Sequence, residues 1–341
     1  TNGLSEREWR SLADDERAPL RNKAIAGEYA PGSTFKMMVA LAALKAGIIV
    51  EETSFFCSGS LTLGDGKFHC WKRHGHGHTN LAKGIAQSCD VYFYELARRV
   101  GIDRIAEMAT KFGLGQKLDL DIPGSRPGVI PTKAWKSAVI GQRWVQGESL
   151  VAAIGQGFVL ATPLQLATMT ARLANGGKAV SPYIARDVMT DSKLGGRPEV
   201  PAPDMEINPY HLNLVRNAMS QVTNTRRGTA YRARIMVPGM AMAGKTGTSQ
   251  VRRITRAERA AGILKNEQLP WKRRDHALFV GFAPLDAPKY AVSVVVEHGG
   301  GGSKVAAPIA RDIMVETLKR DPAGQAPGAD VAGSEPVDDK V

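Results

Sequence analysis

Three cysteines in a chain of 341 residues are too few for a disulfide scaffold, and an odd number cannot all pair within one chain. Long apolar runs are absent. The best stretch, Met37 to Val50, is broken by Lys45, so no segment reads as a membrane span. Zinc-finger spacing, an RNP-type run and a helix-turn-helix signal are also missing, which sets nucleic acid aside as a partner. The sequence opens at Thr1 on polar residues with no signal-peptide pattern. We therefore expect a processed or trimmed chain with an upstream part outside it. What is present is globular: 43% hydrophobic and 23% charged residues exclude disordered, collagen-like and coiled-coil classes.

The formal net charge is +12, which suits an anionic partner such as an acidic polymer or an anionic membrane surface. The segment Arg252 to Arg274 holds eight basic residues against Glu258 and Glu267, half of that net charge. It reads either as a solvated loop or as a contact with membrane, partner or acidic glycan.

The pattern turns helical from Ser33 to Gly47, bounded by Pro31-Gly32. Residues 53–80, rich in Gly, His, Ser and Thr, read as an irregular excursion. Residues 80–113 predict two helices separated by Gly101, residues 114–150 loops, and Pro163 to Ala174 a further helix. In the last third, Met240 to Gly244, Ala277 to Phe282 and Tyr290 to Glu297 predict strands, followed by a helix from Val305 to Lys319. The Pro-, Gly-, Ala- and Asp-rich tail 321–341 predicts disorder. Helices first, then strands with a closing helix, point to an α+β fold.

Three short signals bear on chemistry. In Ser33-Thr-Phe-Lys36 the serine and lysine share a helix face, one turn apart. A serine hydroxyl needs a base to become a nucleophile, and a partly desolvated amine can serve. A helix start adds a positive field where an oxyanion forms. Alone, the pattern equally fits an N-cap serine with a surface lysine. Ser88-Cys89-Asp90 alone reads as a turn. Lys245-Thr246-Gly247-Thr248 ends a strand pattern, where glycine lets a substrate backbone come close and lysine and hydroxyls suit a carboxylate. Alone it is equally a strand running into a turn. In this order, the three match the motif set of penicillin-binding proteins and class A β-lactamases.

Together with Gly155-Gln-Gly157, Ala161 to Leu166 and Ala174-Asn-Gly-Gly177, the sequence resembles a class B penicillin-binding protein over roughly residues 8–320. Trp71-Lys72 and Gly75-His-Gly77 resemble the penicillin-binding protein 2 branch, the elongation transpeptidase. The resemblance implies a penicillin-recognising serine transpeptidase fold, an antiparallel sheet flanked by helices plus a helical subdomain. Within a 1–320 transpeptidase domain, the helical subdomain and its excursion would cover about 48–176 and the sheet region about 178–320. It implies a peptidoglycan D,D-transpeptidase. Ser33 would attack the penultimate D-alanine carbonyl of a stem peptide, with Lys36 as general base, and β-lactams would acylate the same serine. Ser88 would relay a proton to the leaving D-alanine, supported by Lys245. Backbone N–H groups of Ser33 and Thr248 would form the oxyanion hole, and Thr246, Gly247 and Thr248 would line the carboxylate site. Asp90 departs from the asparagine common in the family's second motif.

The branch's N-terminal anchor and pedestal would lie upstream, on the periplasmic side of the inner membrane. Implied partners are the elongation-machinery glycosyltransferase and membrane-anchored scaffold proteins. A D,D-carboxypeptidase and a penicillin-sensing domain remain alternatives. A class A β-lactamase would carry Glu-x-x-Leu-Asn between the second and third motifs, and none occurs.

Cys57, Cys70 and Cys89 cluster within 33 positions, the first two in the excursion and the third just after it. Thiolate and imidazole ligands in a set of four suit a closed, structural zinc site. A Cys57–Cys70 disulfide with an inert Cys89 is the competing reading in an oxidising compartment. His74, His76 and His78 alternate, and alternation cannot choose among them. The resemblance selects His76 and implies a zinc ion held by Cys57, Cys70, His76 and Cys89. No cofactor is expected for the acyl transfer itself.

Overall fold

The structure is a computed structural model that describes residues 3–185, 187–190, 193–196, 201–252 and 254–321. The predicted tail lies outside it, apart from Asp321. At its centre runs the helix Lys36–Lys45, preceded by a single 3-10 turn over Gly32–Phe35. Every residue from Lys36 to Leu44 is buried. A helix apolar all round belongs in a core rather than at a surface. Each large side chain it buries, Met37, Met38 and Leu41 among them, contributes about 1.5–3 kcal/mol. The helices Asp90–Val100, Ile102–Lys111 and Pro209–Asn224 pack around it.

The largest sheet of the described residues has three antiparallel strands in sequence order, Ala243–Ser249, His276–Ala283 and Tyr290–Val296. Lys245 faces Val280 across the first pair, and Thr248 faces Ala277. The helices Pro163–Ala174 and Ala306–Arg320 cover the sheet. The α+β expectation holds, with helices and antiparallel strands around one apolar core.

Several elements differ from expectation. Residues 80–113 form three helices, because Leu81–Ala86 ends before Ser88 and a new helix starts at Asp90. Residues 114–150 contain the helices Lys133–Ile140 and Gln146–Ala153. The Lys-Thr-Gly motif lies within its strand rather than at its end, since Ala243–Ser249 pairs along its whole length. The excursion carries two small hairpin ladders: Phe55–Cys57 pairs with Gly77–Thr79, and Ser60–Leu63 with Gly66–His69. The basic connection holds a short helix, Arg256–Ala261, and two ion pairs, Arg252–Glu258 and Lys272–Glu16, both at 2.6 Å.

Candidate active site

The 3-10 turn presents Ser33, half-buried, beside the end of the Lys245 strand. Gly32 sits at φ +56°, donates its N–H to Gly155 O at 2.9 Å, and lies so close to Thr248 that a Cβ would strike the Thr248 backbone. Only glycine fits both the dihedral and the approach. Ser33 and Thr248 therefore belong to neighbouring stretches of backbone. Gln156 Nε2 donates to Thr248 O at 3.1 Å and ties the Gly155-Gln-Gly157 loop to the same place. At Gly247, a Cβ would meet Pro31 O at 2.9 Å and Thr34 Cγ2 at 3.0 Å. The space this glycine leaves is filled from within the protein, which keeps strand and serine turn together.

Lys36 and Lys245 are both fully buried and converge on Ser88. Lys36 Nζ donates to Asp90 Oδ1 at 2.7 Å, to Ser88 O at 3.0 Å and to Ser88 Oγ at 3.2 Å. Lys245 Nζ lies 2.9 Å from Ser88 Oγ and 3.0 Å from Thr246 O. One hydroxyl thus bridges a lysine held by a carboxylate and a lysine held only by neutral oxygens. Ser88 itself has φ +54°, a left-handed backbone that sequence does not announce in a non-glycine residue. That turn separates two helices and aims the hydroxyl between the lysines.

Burial pushes the Lys245 amine well below its ordinary value, and the nearby Lys36 charge adds to this while Asp90 opposes it. The sign for stability follows. The unfolded chain keeps this proton up to 10.5, whereas the folded protein releases it earlier, so stability rises with pH between the lowered value and 10.5. Relative to Lys245→Met, the wild-type melting temperature is expected to climb as pH is raised from neutral toward 10.5. A difference that stays constant with pH would contradict this.

Asp90 is buried and its carboxyl is pushed up by burial, with Lys36 pulling it back down. Its second oxygen accepts from Trp71 N–H at 2.9 Å. Asp90→Ala strands both donors, and breaking such a buried pair is expected to cost about 3–5 kcal/mol in urea unfolding. Asp90→Asn keeps one acceptor oxygen and is expected to cost less. Equal costs for the two variants would refute the pairing argument.

 

Cys89 stands between Ser88 and Asp90 in the chain and joins a buried group of cysteines behind Ser88. Cys57, Cys70, His76 and Cys89 are all buried, with one ligand atom from each within 4.8 Å of the others. His76 Nδ1 is 3.7 Å from Cys57 Sγ and 3.5 Å from Cys70 Sγ. A tetrahedral zinc with ordinary Zn–S and Zn–N bonds separates sulfur from nitrogen by about 3.5 Å, so the donor set fits the ion. The three cysteines are free thiols rather than a disulfide pair. A hydrogen bond from Cys89 holds the Cys70 thiol far below its ordinary value and pushes Cys89 up, while burial pushes Cys57 up. The geometry separates the three histidines: His74 and His78 are exposed, and His76 is buried among the sulfurs.

Two contacts were not legible in the sequence. Trp71 Nε1 donates to Ser88 O at 3.0 Å, and Thr229 Oγ1 lies 2.8 Å from Thr246 Oγ1. Thr229 carries no local signal and Trp71 stands out only in the branch resemblance; each reaches the site by long-range packing.

A half-buried serine one helical turn from a buried lysine, which meets a second buried lysine at Ser88 between a helical region and an antiparallel sheet, defines a protein of the penicillin-recognising serine class. The chain belongs to the penicillin-binding protein transpeptidase domain family, whose model matches residues 4–315. It is similar to the peptidoglycan D,D-transpeptidase MrdA of Acinetobacter baumannii, 38% identical over 331 residues, covering 94% of this chain and 47% of that protein. The chain thus spans about half the length of the curated relatives it matches. Among solved structures it resembles Pseudomonas aeruginosa PBP2 in complex with WCK 5153, with a TM-score of 0.80, 38% identity, and 96% of this chain and 69% of that one covered. It also resembles Helicobacter pylori PBP2 in its complex with MreC, with a TM-score of 0.81, 33% identity, and coverages of 93% and 55%.

Proposed function

We propose that this chain is the catalytic domain of a peptidoglycan D,D-transpeptidase of cell elongation, working through a Ser33 acyl-enzyme. The observation that carries the reading is Ser88 Oγ between Lys36 Nζ and Lys245 Nζ, with Lys36 opening the helix that follows the Ser33 turn. In its neutral amine form Lys36, one turn from Ser33, takes the serine proton as Ser33 Oγ bonds to the penultimate D-alanine carbonyl. In the resting site its hydrogen bonds go to Ser88 and Asp90, and they rearrange when substrate arrives. Ser88 passes a proton to the departing D-alanine amine, and Lys245 orients that hydroxyl. The Ser33 and Thr248 N–H groups receive the oxyanion. Thr246, Gly247 and Thr248 border the substrate's terminal carboxylate. An amine acceptor then displaces Ser33 from the acyl group.

Cys57, Cys70, His76 and Cys89 would hold a structural zinc, which supplies cross-linking and no chemistry in the acyl transfer. Cys89 turned toward the ion leaves Ser88 turned toward the substrate. The polymer substrate places the domain on the periplasmic side of the inner membrane. The MreC complex of the Helicobacter relative supports scaffold proteins as partners, beside a glycosyltransferase of the elongation machinery. The Arg252–Arg274 connection is the candidate contact with these partners or with an anionic membrane surface.

The test supplies a peptide ending in D-alanyl-D-alanine together with a labelled D-amino acid. Labelled exchange product that disappears in Ser33→Ala supports transpeptidation. Release of free D-alanine without exchange product would instead make the domain a carboxypeptidase.

A further inference from the structure

Beyond Ser88 the site opens into a cavity of about 630 Å³. Its walls include Trp71, Lys72, Lys83, Gln87, Arg227 and Thr229, and none of its lining residues is acidic. It joins the candidate active site directly. Thr229 Oγ1 touches Thr246 Oγ1 at 2.8 Å, Thr229 N–H donates to Ala86 O at 3.1 Å, and the Trp71 indole holds Ser88 O. Lys83 Nζ is fixed by the carbonyls of His76 and His78 at 2.6 and 2.7 Å. Lys72 and Arg227 are exposed at the rim, and no salt bridge to an acidic residue engages either among the described residues.

We propose that this cavity is the acceptor subsite, which binds a carboxylate-bearing peptide through Lys72 and Arg227 and brings its amine to the acyl-enzyme. The proposal rests on the transpeptidase reading. An incoming amine follows in reverse the path by which the leaving amine departs, and the proton relay Ser88 stands beside that path. Cations without acidic partners around a polar cavity select carboxylates by charge-assisted hydrogen bonds, and Arg227 can hold one in bidentate fashion. Anchoring the acceptor there raises the local concentration of amine over water at the acyl carbon. Lys72 and Arg227 act as positioning residues; they hold the acceptor and do not touch the reacting atoms.

The probe is a synthetic peptide with one free side-chain amine and two free carboxylates, compared with its bis-amide. Transfer of an acyl group from a thioester donor is measured for each, alongside acylation by a penicillin as the reference for the donor step. Wild-type protein is expected to favour the diacid by about tenfold per engaged carboxylate, expressed in KM for the acceptor rather than in kcat, and weakened by salt. In Lys72→Gln/Arg227→Gln the preference falls to near unity. The same pair of peptides is titrated against protein already acylated by penicillin, which reads binding without turnover. Equal binding of diacid and bis-amide, or a preference that survives in the double variant, overturns the acceptor subsite. Failure of penicillin to acylate Ser33 overturns the transpeptidase reading instead.

Discussion

Lys36→Met is expected to slow acylation of Ser33 by penicillin by about two to four orders of magnitude, the usual worth of a positioned general base. The side chain is fully buried and reaches the site one turn from Ser33. Methionine fills similar volume, so the core around Met37 and Leu41 keeps its packing. The variant leaves Asp90 without its cation, and Lys36→Met/Asp90→Asn removes that second effect. Both variants should lose the same factor in acylation rate, measured by stopped-flow with a labelled penicillin. Recovery of rate in the double variant would show that charge imbalance, and not the missing base, caused the loss.

Removing the proposed zinc is expected to have the second large effect. Four buried donors around one point would lose their cross-link to a chelator, and metal binding free energy is folding free energy. Protein purified without chelator should contain about one zinc per chain by elemental analysis. Chelation, or Cys89→Ser, should lower the melting temperature and also the rate of acylation, because Cys89 immediately follows Ser88. His76 Nε2 is buried without a hydrogen-bond partner, so the ring's place in the fold depends on its other nitrogen facing the sulfurs. Metal-free protein that melts at the same temperature would refute the site.

The sequence made some elements plain because their signals are local. The helix Pro163–Ala174 begins and ends where expected. Thr162 and Gln165 form a capping box, with Gln165 N–H donating to Thr162 Oγ1 at 3.2 Å, and proline takes the first turn. The helix Pro209–Asn224 carries a similar opening, Asn208 then Pro209, and buried Leu212, Val215 and Met219 at helical spacing. It is absent from the expectations all the same, since its polar surroundings mask that stripe. The active-site motifs were legible as residue types in order, but not as geometry. Ser88 and Lys245 meet across 157 positions, and the left-handed turn at Ser88 has no glycine to mark it. Asp90 stands where the family often has asparagine, and only the structure shows it paired with Lys36. Trp71 and Thr229 reach the site through the tertiary fold alone.

Incubation with a labelled penicillin, followed by peptide mapping and a deacylation time course, tests the Ser33 acyl-enzyme most directly. The expected result is one adduct per chain on the peptide containing Ser33, persisting for many minutes and absent from Ser33→Ala. Label on another residue, unchanged labelling of Ser33→Ala, or rapid catalytic loss of the drug would contradict it.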